Sequence, residues 1–206
     1  MKIKICGIKE LEEVEIINDF KLNYAGFIFS DSKRKISLAK GRILIENLRK
    51  DLLPVGVFVN EDISFVLRAV EICKVKIVQL HGDESPRYIR KLRGSLKSKN
   101  IKIWKVIHVE ERFFVKKLEK YKMADGILFE TMKKGAYGGT GETFDWNIIK
   151  DIKLDQKKIL AGGINSENIK KAINISKADV IDVNSGVETN LIKDRKKIKL
   201  LFENIN

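Results

Sequence analysis

Short apolar runs punctuated by turn residues recur along the whole chain, and stretches with apolar residues at helical spacing separate them. The first run alternates Lys with Ile over residues 2–6 and stops at Gly7, which predicts a short strand. A helix over 10–22 follows, with Leu11, Val14, Ile17 and Phe20 available to a core, then a second strand over 24–29. The polar turn 30–35 leads into a helix burying Leu38, Leu44, Ile45 and Leu48. Pro54 opens a third strand over 54–59, where its missing N–H is tolerated. Asn60 is the expected cap of the helix over 63–73.

The same alternation continues. Strand 75–80 precedes Ser85-Pro86, a capping serine with proline at the first helical position, and a helix turning Tyr88, Leu92 and Leu96 inward. Strand 101–109 precedes a helix over 110–121. The run Gly126-Ile127-Leu128-Phe129 then ends at a carboxylate, Glu130. After a long loop a short helix starts at about Asp145, strand 157–161 ends in Gly162-Gly163, and Asn165 or Ser166 caps the next helix. Strand 179–183 runs into Asn184-Ser185-Gly186, and a last helix presents Ile198, Leu201, Phe202 and Ile205 at i, i+3, i+4, i+7.

Parallel strands need a helical crossover between them, and eight such units in series close into a barrel. The predicted fold class is α/β, a (β/α)8 TIM barrel with short loops in which residues 1–206 form one domain; an open doubly wound sheet is the alternative topology. The periodicity is compatible with a monomer or a homodimer.

Composition narrows the function. With 44% hydrophobic and 33% charged residues the chain has the makeup of soluble globular proteins, and no apolar run approaches the roughly 20 residues that span a bilayer. Residues 1–10 lack the apolar core of a secretory signal, so the expected compartment is the cytoplasm, without membrane attachment. The two cysteines, Cys6 and Cys73, have no metal-ligand spacing to each other or to His81 and His108, which argues against a zinc site. Cys73 falls on the apolar stripe of its helix and reads as a buried small residue. The net charge of +13 invites anionic ligands, but Lys and Arg are spread over nearly every helix with no aromatics interleaved for base stacking. That pattern suits weak salt-sensitive contacts rather than a specific nucleic-acid site.

Barrels of this kind hold their chemistry at the carboxyl ends of the strands. Those ends supply Cys6-Gly7, Arg34, Asn60, Gln79 with His81, His108, Glu130, Gly162-Gly163, and Asp182 with Ser185-Gly186. The glycine pairs of the last two loops suit phosphate held by backbone N–H groups, or else only turn the chain. Cys6 is either an inert buried thiol or a general base facing a general acid across the rim. Glu130 is either that acid or a strand-ending carboxylate paired with Lys133 or Lys134. Gly138-Gly139-Thr140-Gly141 lacks the Lys-Ser/Thr that would make it a nucleotide-phosphate loop.

Taken together, Lys4-Ile5-Cys6-Gly7-Ile8, Gly26-Phe27-Ile28-Phe29, Ser32-Lys33-Arg34, Val55-Gly56-Val57-Phe58-Val59, Gln79-Leu80-His81-Gly82-Asp83-Glu84, Tyr137-Gly138-Gly139-Thr140-Gly141, Thr143-Phe144-Asp145-Trp146, Leu160-Ala161-Gly162-Gly163-Ile164 and Asp182-Val183-Asn184-Ser185-Gly186-Val187-Glu188 resemble the phosphoribosylanthranilate isomerases of tryptophan biosynthesis, in that family's order and over almost the whole chain. The resemblance implies an Amadori rearrangement of N-(5-phosphoribosyl)anthranilate, a small phosphorylated anion, to 1-(2-carboxyphenylamino)-1-deoxyribulose 5-phosphate, with no cofactor and no metal. It implies Cys6 as base, Arg34 near the anthranilate carboxylate, His81 and Asp182 in the substrate pocket, and Gly162, Gly163, Ser185 and Gly186 at the phosphate. The family's acid is an aspartate, whereas this chain has Glu130, longer by one methylene or roughly 1.5 Å. Lys33 replaces the family's usual proline, and Arg34 is expected to be held less firmly for it. Two other readings are kept beside this one. One is a phosphosugar-binding barrel with impaired turnover; the other is the related histidine-pathway isomerase, which carries an aspartate where this chain has Cys6.

Overall fold

The computed structural model describes residues 1–96, 100–109, 115–131 and 143–205. Eight strands close into a barrel in chain order: β1 (Lys2–Ile5), β2 (Tyr24–Ile28), β3 (Leu53–Phe58), β4 (Ile77–Leu80), β5 (Lys102–Val109), β6 (Gly126–Thr131), β7 (Lys157–Leu160) and β8 (Val180–Val183). All neighbours are parallel, and β1 pairs with β8 to complete the ring, Lys4 opposite Asp182 and Ile5 opposite Val183.

The connections are α1 (Leu11–Asn18), α2 (Leu38–Glu46), α3 (Ile63–Cys73), α4 (Pro86–Ser95), a 3-10 segment (Val115–Tyr121), α5 (Asn147–Lys150) and α6 (Ile169–Ser176); α7 (Arg195–Glu203) ends the series. Between β8 and α7 a small antiparallel hairpin, β9 (Glu188–Thr189) and β10 (Ile192–Lys193), had no counterpart in the apolar pattern. None of the described helices is long and apolar enough to cross a membrane.

Alternation along the strands makes two cores. Ile3, Ile5, Ala25, Phe27, Phe58, Val78, Leu80, Ile127, Phe129, Leu160 and Ile181 point outward and pack under the helices. Tyr24, Val55, Ile77, Trp104, Val106, Leu128, Ile159 and Val180 fill the barrel itself. The same parity sends Lys4, Cys6, Gln79, His81, Glu130 and Asp182 inward, so the rim is lined by whatever follows the last apolar layer.

Helix ends match the sequence in part. Ser85 accepts from the Tyr88 N–H with Pro86 behind it, and Cys73 is buried, its thiol donating to the Leu38 carbonyl. Asn60 does not cap α3; that position is Asp62, while Asn60 takes a left-handed turn (φ 52°) and accepts from the Asp83 N–H. The chain makes this extra turn because Glu84 also grips the Asn60 N–H. Asn168, not Asn165 or Ser166, sits at the cap of α6, with Asn165 folded into a turn that accepts from the Glu167 and Asn168 N–H groups. The first helix stops at Asn18 rather than 22, and the helix near Asp145 is one turn, Asn147–Lys150. The helix expected over 110–121 is a 3-10 segment in its described part.

Candidate active site

Cys6 follows directly on β1, anchored by its N–H to the Val183 carbonyl, and only 6% of its surface is exposed. Two residues earlier on the same inward face lies Lys4, fully buried, with Nζ 2.6 Å from Asp182 Oδ2 on β8. Burial opposes the ammonium, but the Asp182 charge, with Cys6 adding, outweighs it and holds Lys4 protonated. Burial pushes the Cys6 thiol up; Lys4 is the strongest influence against that rise, Asp182 supports it, and the thiol stays above its usual value.

On the far side, Glu130 ends the buried run of β6 and meets His81, which ends β4, with His81 Nε2 2.7 Å from Glu130 Oε2. Gln79 Nε2 lies 3.0 Å from His81 Nδ1. With Gln79 donating, Nδ1 is the acceptor and Nε2 carries the ring proton toward Glu130. Burial pushes the Glu130 carboxyl up, yet the nearby His81, with His108 and Lys4 adding, holds it below the usual carboxylate range. His108, whose ring centre is 5.9 Å from that of His81, is held below the ordinary imidazole range by burial and by His81. A buried ion pair fixes the loop that presents His81: Lys105 Nζ lies 2.9 Å from Glu84 Oε2, and Glu84 accepts from the Gly82 and Asn60 N–H groups.

Arg34, on the loop after β2, is pinned rather than loose. Its Nε donates to Glu188 Oε1 at 2.9 Å and its Nη2 to Glu188 Oε2 at 2.5 Å, a two-pronged contact, and the Arg34 N–H is capped by Ser32 Oγ. This corrects the expectation drawn from Lys33, because the anchor comes from β9 and not from local backbone stiffness. Lys193 of β10 shares Glu188 and also donates to Asn184 Oδ1. Two buried cations therefore face one carboxylate, leaving positive charge for an anion entering beside Arg34.

The last two loops form the remaining wall. Gly162 and Gly163 have φ of 91° and 63°, a turn that side chains resist, and Asn168 Nδ2 donates to the Gly163 carbonyl. Gly186 bridges to Asn165, and a Cβ there would lie 2.0 Å from the Ile164 carbonyl oxygen, so only glycine allows the loops to meet.

Cys6, Arg34, His81, Glu130, Gly162, Gly163, Asp182 and Ser185 all line one cavity of about 490 Å3, together with Gln79 and Asn184. Gly186 is not in its wall; it brings the two loops together. Asn60 is likewise absent from the wall and serves the β4 loop. The sequence reading passed over Lys4, Glu188 and Lys193. Glu188 stood in the final quoted motif, so its position was visible, but its link to Arg34 spans 154 residues. Lys133, Lys134 and Gly138 to Gly141 lie outside the described residues.

The sequence profile of N-(5'-phosphoribosyl)anthranilate (PRA) isomerase matches residues 3–204. An N-(5'-phosphoribosyl)anthranilate isomerase of Clostridium acetobutylicum is 42% identical over 201 residues, 97% of this chain and 95% of the relative. One from Thermoanaerobacter pseudethanolicus is 38% identical over 205 residues, 100% of this chain and 98% of the relative. Among solved structures, the phosphoribosyl anthranilate isomerase of Thermotoga maritima superimposes with a TM-score of 0.88 at 32% identity, over 100% of this chain and 98% of that one. A phosphoribosyl anthranilate isomerase solved in complex with reduced 1-(o-carboxyphenylamino)-1-deoxyribulose 5-phosphate gives a TM-score of 0.84 at 30% identity, with the same coverage.

Proposed function

We infer how a chain that belongs to the N-(5'-phosphoribosyl)anthranilate isomerase family divides its reaction among the groups of this rim: Cys6 is the general base and Glu130 the general acid. The enzyme is an isomerase of tryptophan biosynthesis. Glu130 protonates the ribose ring oxygen, and the lone pair of the anthranilate nitrogen opens the ring to a Schiff base. The Cys6 thiolate then takes the proton from C2, the electron pair forming the C1–C2 double bond of an enolamine. Proton return to C1 and loss of the C2 hydroxyl proton leave the ketone.

The observation that carries this reading is the facing of the two groups across one cavity. β1 and β6 are separated around the ring by β7 and β8, so thiol and carboxyl approach a bound sugar from different sides. Glutamate reaches within 2.7 Å of His81 Nε2, so the extra methylene still keeps the carboxyl at the rim, and Glu130 acts from its protonated fraction. Arg34 takes the anthranilate carboxylate, using the guanidinium donors that Glu188 leaves over. Asp182 accepts from a sugar hydroxyl through Oδ1, which is buried and has no hydrogen-bond partner among the described residues. Gly163 and Ser185, on loops held together at Gly186, receive the phosphate, as glycine-rich turns before a helix commonly do.

Turnover of phosphoribosylanthranilate by the purified protein tests the assignment. Cys6→Ser and Glu130→Gln are each expected to lower kcat/KM by about a hundredfold or more, while Glu130→Asp retains activity nearer the parent. A Glu130→Gln protein that turns over like the parent would remove Glu130 from the acid's role. A parent that binds substrate without converting it would leave a phosphosugar-binding barrel instead.

A further inference from the structure

Lys4 takes no part in the steps above, yet it is a lysine with no exposed surface in the interior of the barrel. Burying an ammonium is costly unless opposite charge and hydrogen bonds repay it, so its presence requires a reason. Alternation along β1 puts Lys4 and Cys6 on the same inward face, and parallel register puts Lys4 directly beside Asp182. The contact of Nζ with Asp182 Oδ2 at 2.6 Å occupies one of its three donors.

Gly26 on β2 shows where the ammonium sits relative to the thiol. A Cβ built on Gly26 would lie 2.7 Å from Cys6 Sγ and 3.1 Å from Lys4 Nζ, so both atoms crowd the same point of the neighbouring strand. The other charges around the thiol are committed elsewhere. Arg34 is held by Glu188 through two donors; Lys193 is held by Glu188 and Asn184; Glu130 faces His81 across the cavity. Among the described residues, Lys4 has Asp182 as its ion-pair partner and Cys6 as its neighbour on the same face.

We propose that Lys4 is the positioning charge that makes Cys6 a usable base: clamped on one side by Asp182, its ammonium stabilises the thiolate on the other. The proposal rests on the reading of Cys6 as base and explains how a buried thiol reaches the anionic form. In the free enzyme the thiol proton leaves to water. In the reaction the thiolate forms an S–H bond as the C2–H bond breaks, and Lys4 stays protonated throughout. Asp182 sets the strength of the effect, since its carboxylate fixes the ammonium while repelling the thiolate.

Replacing Lys4 with or without loss of its charge is expected to move the thiol differently, and this makes a test that simple damage to the fold would not pass. In a Cys73→Ala background, where Cys6 is the one thiol, the rate of alkylation by iodoacetamide is followed across the titration of the thiol. Lys4→Met is expected to raise the midpoint by about one pH unit or more, a tenfold slower alkylation at a fixed pH below it. Lys4→Arg keeps the midpoint near the parent's. The acid limb of kcat/KM moves with the same signs. An unmoved midpoint in Lys4→Met, or a rise in Lys4→Arg equal to that in Lys4→Met, overturns the proposal. Should Lys4→Met fail to fold, Lys4→Gln decides in its place: a raised midpoint supports the proposal and an unmoved one sinks it. Alkylation reads the thiolate whether or not the enzyme turns over, so loss of the Cys6 base assignment, shown by a fully active Cys6→Ser, is told apart from failure here.

Discussion

Glu188 accepts from Arg34 through both oxygens and from Lys193 through one of them, and its surroundings hold it in the charged form. Burial pushes its carboxyl up, but the hydrogen bond from Arg34 and the charge of Lys193 outweigh that and hold it below the usual range. Its consequence at the site is orientation: two donors of Arg34 are spent on Glu188, which aims the remaining edge of the guanidinium. Glu188→Gln keeps the size but loses one of the two charged acceptors. We expect KM for phosphoribosylanthranilate to rise about tenfold with a smaller change in kcat, read from steady-state kinetics, because binding rather than proton transfer is disturbed. Cys6, Glu130 and Asp182 were legible at this scale, since each is the first polar or reactive group after a buried apolar run. Lys4 was not. A lysine alternating with isoleucine reads as the solvent face of a strand, and only closure of the sheet turns that face inward.

Secondary elements were legible where side chain and backbone act within a few residues. Ser85 caps its helix as such residues do. Asp194 is a stronger instance: it caps α7 by accepting from the Lys196 and Lys197 N–H groups, and Thr189 Oγ1 of the hairpin donates to it as well. Since α7 packs Ile198 and Leu201 into the core, this cap ties the end of the chain to the hairpin that carries Glu188. Asp194→Ala is expected to cost about 1 kcal/mol, a fall in Tm of roughly 2–4 °C for a chain of this size in a thermal scan. Asn60 and Asn165 were misread for one reason. Both are Asx residues that prefer a turn to a cap when a distant group, Glu84 for one and Gly186 for the other, claims the neighbouring backbone.

For the whole molecule, the net charge of +13 at a distance, and Arg34 with Lys193 facing the single carboxylate of Glu188 at contact, favour an anionic substrate. The same design sets its acid lability. Glu188 and Glu130 are held below their ordinary value of 4.5 in the folded state. A carboxylate so depressed adds stability at pH above the unfolded value and loses it as the pH falls through the folded one. Tm is therefore expected to be level at neutral pH and to drop once the pH passes below about 4.5, with a shallower drop in Glu188→Gln, measured by thermal unfolding across that range.

The amino-acid order by itself determined the eight strand-helix units, the barrel they close into, and the polar groups that finish each strand, because apolar periodicity and turn chemistry act over neighbouring residues. The motifs along it were enough to point to the family. Tertiary structure alone decided which charges meet: Lys4 with Asp182 across 178 residues, Arg34 with Glu188 across 154, and His81 with Glu130 across the mouth of the barrel. Those pairings depend on strand register and on closure of β1 against β8, and neither leaves a periodic trace along the chain.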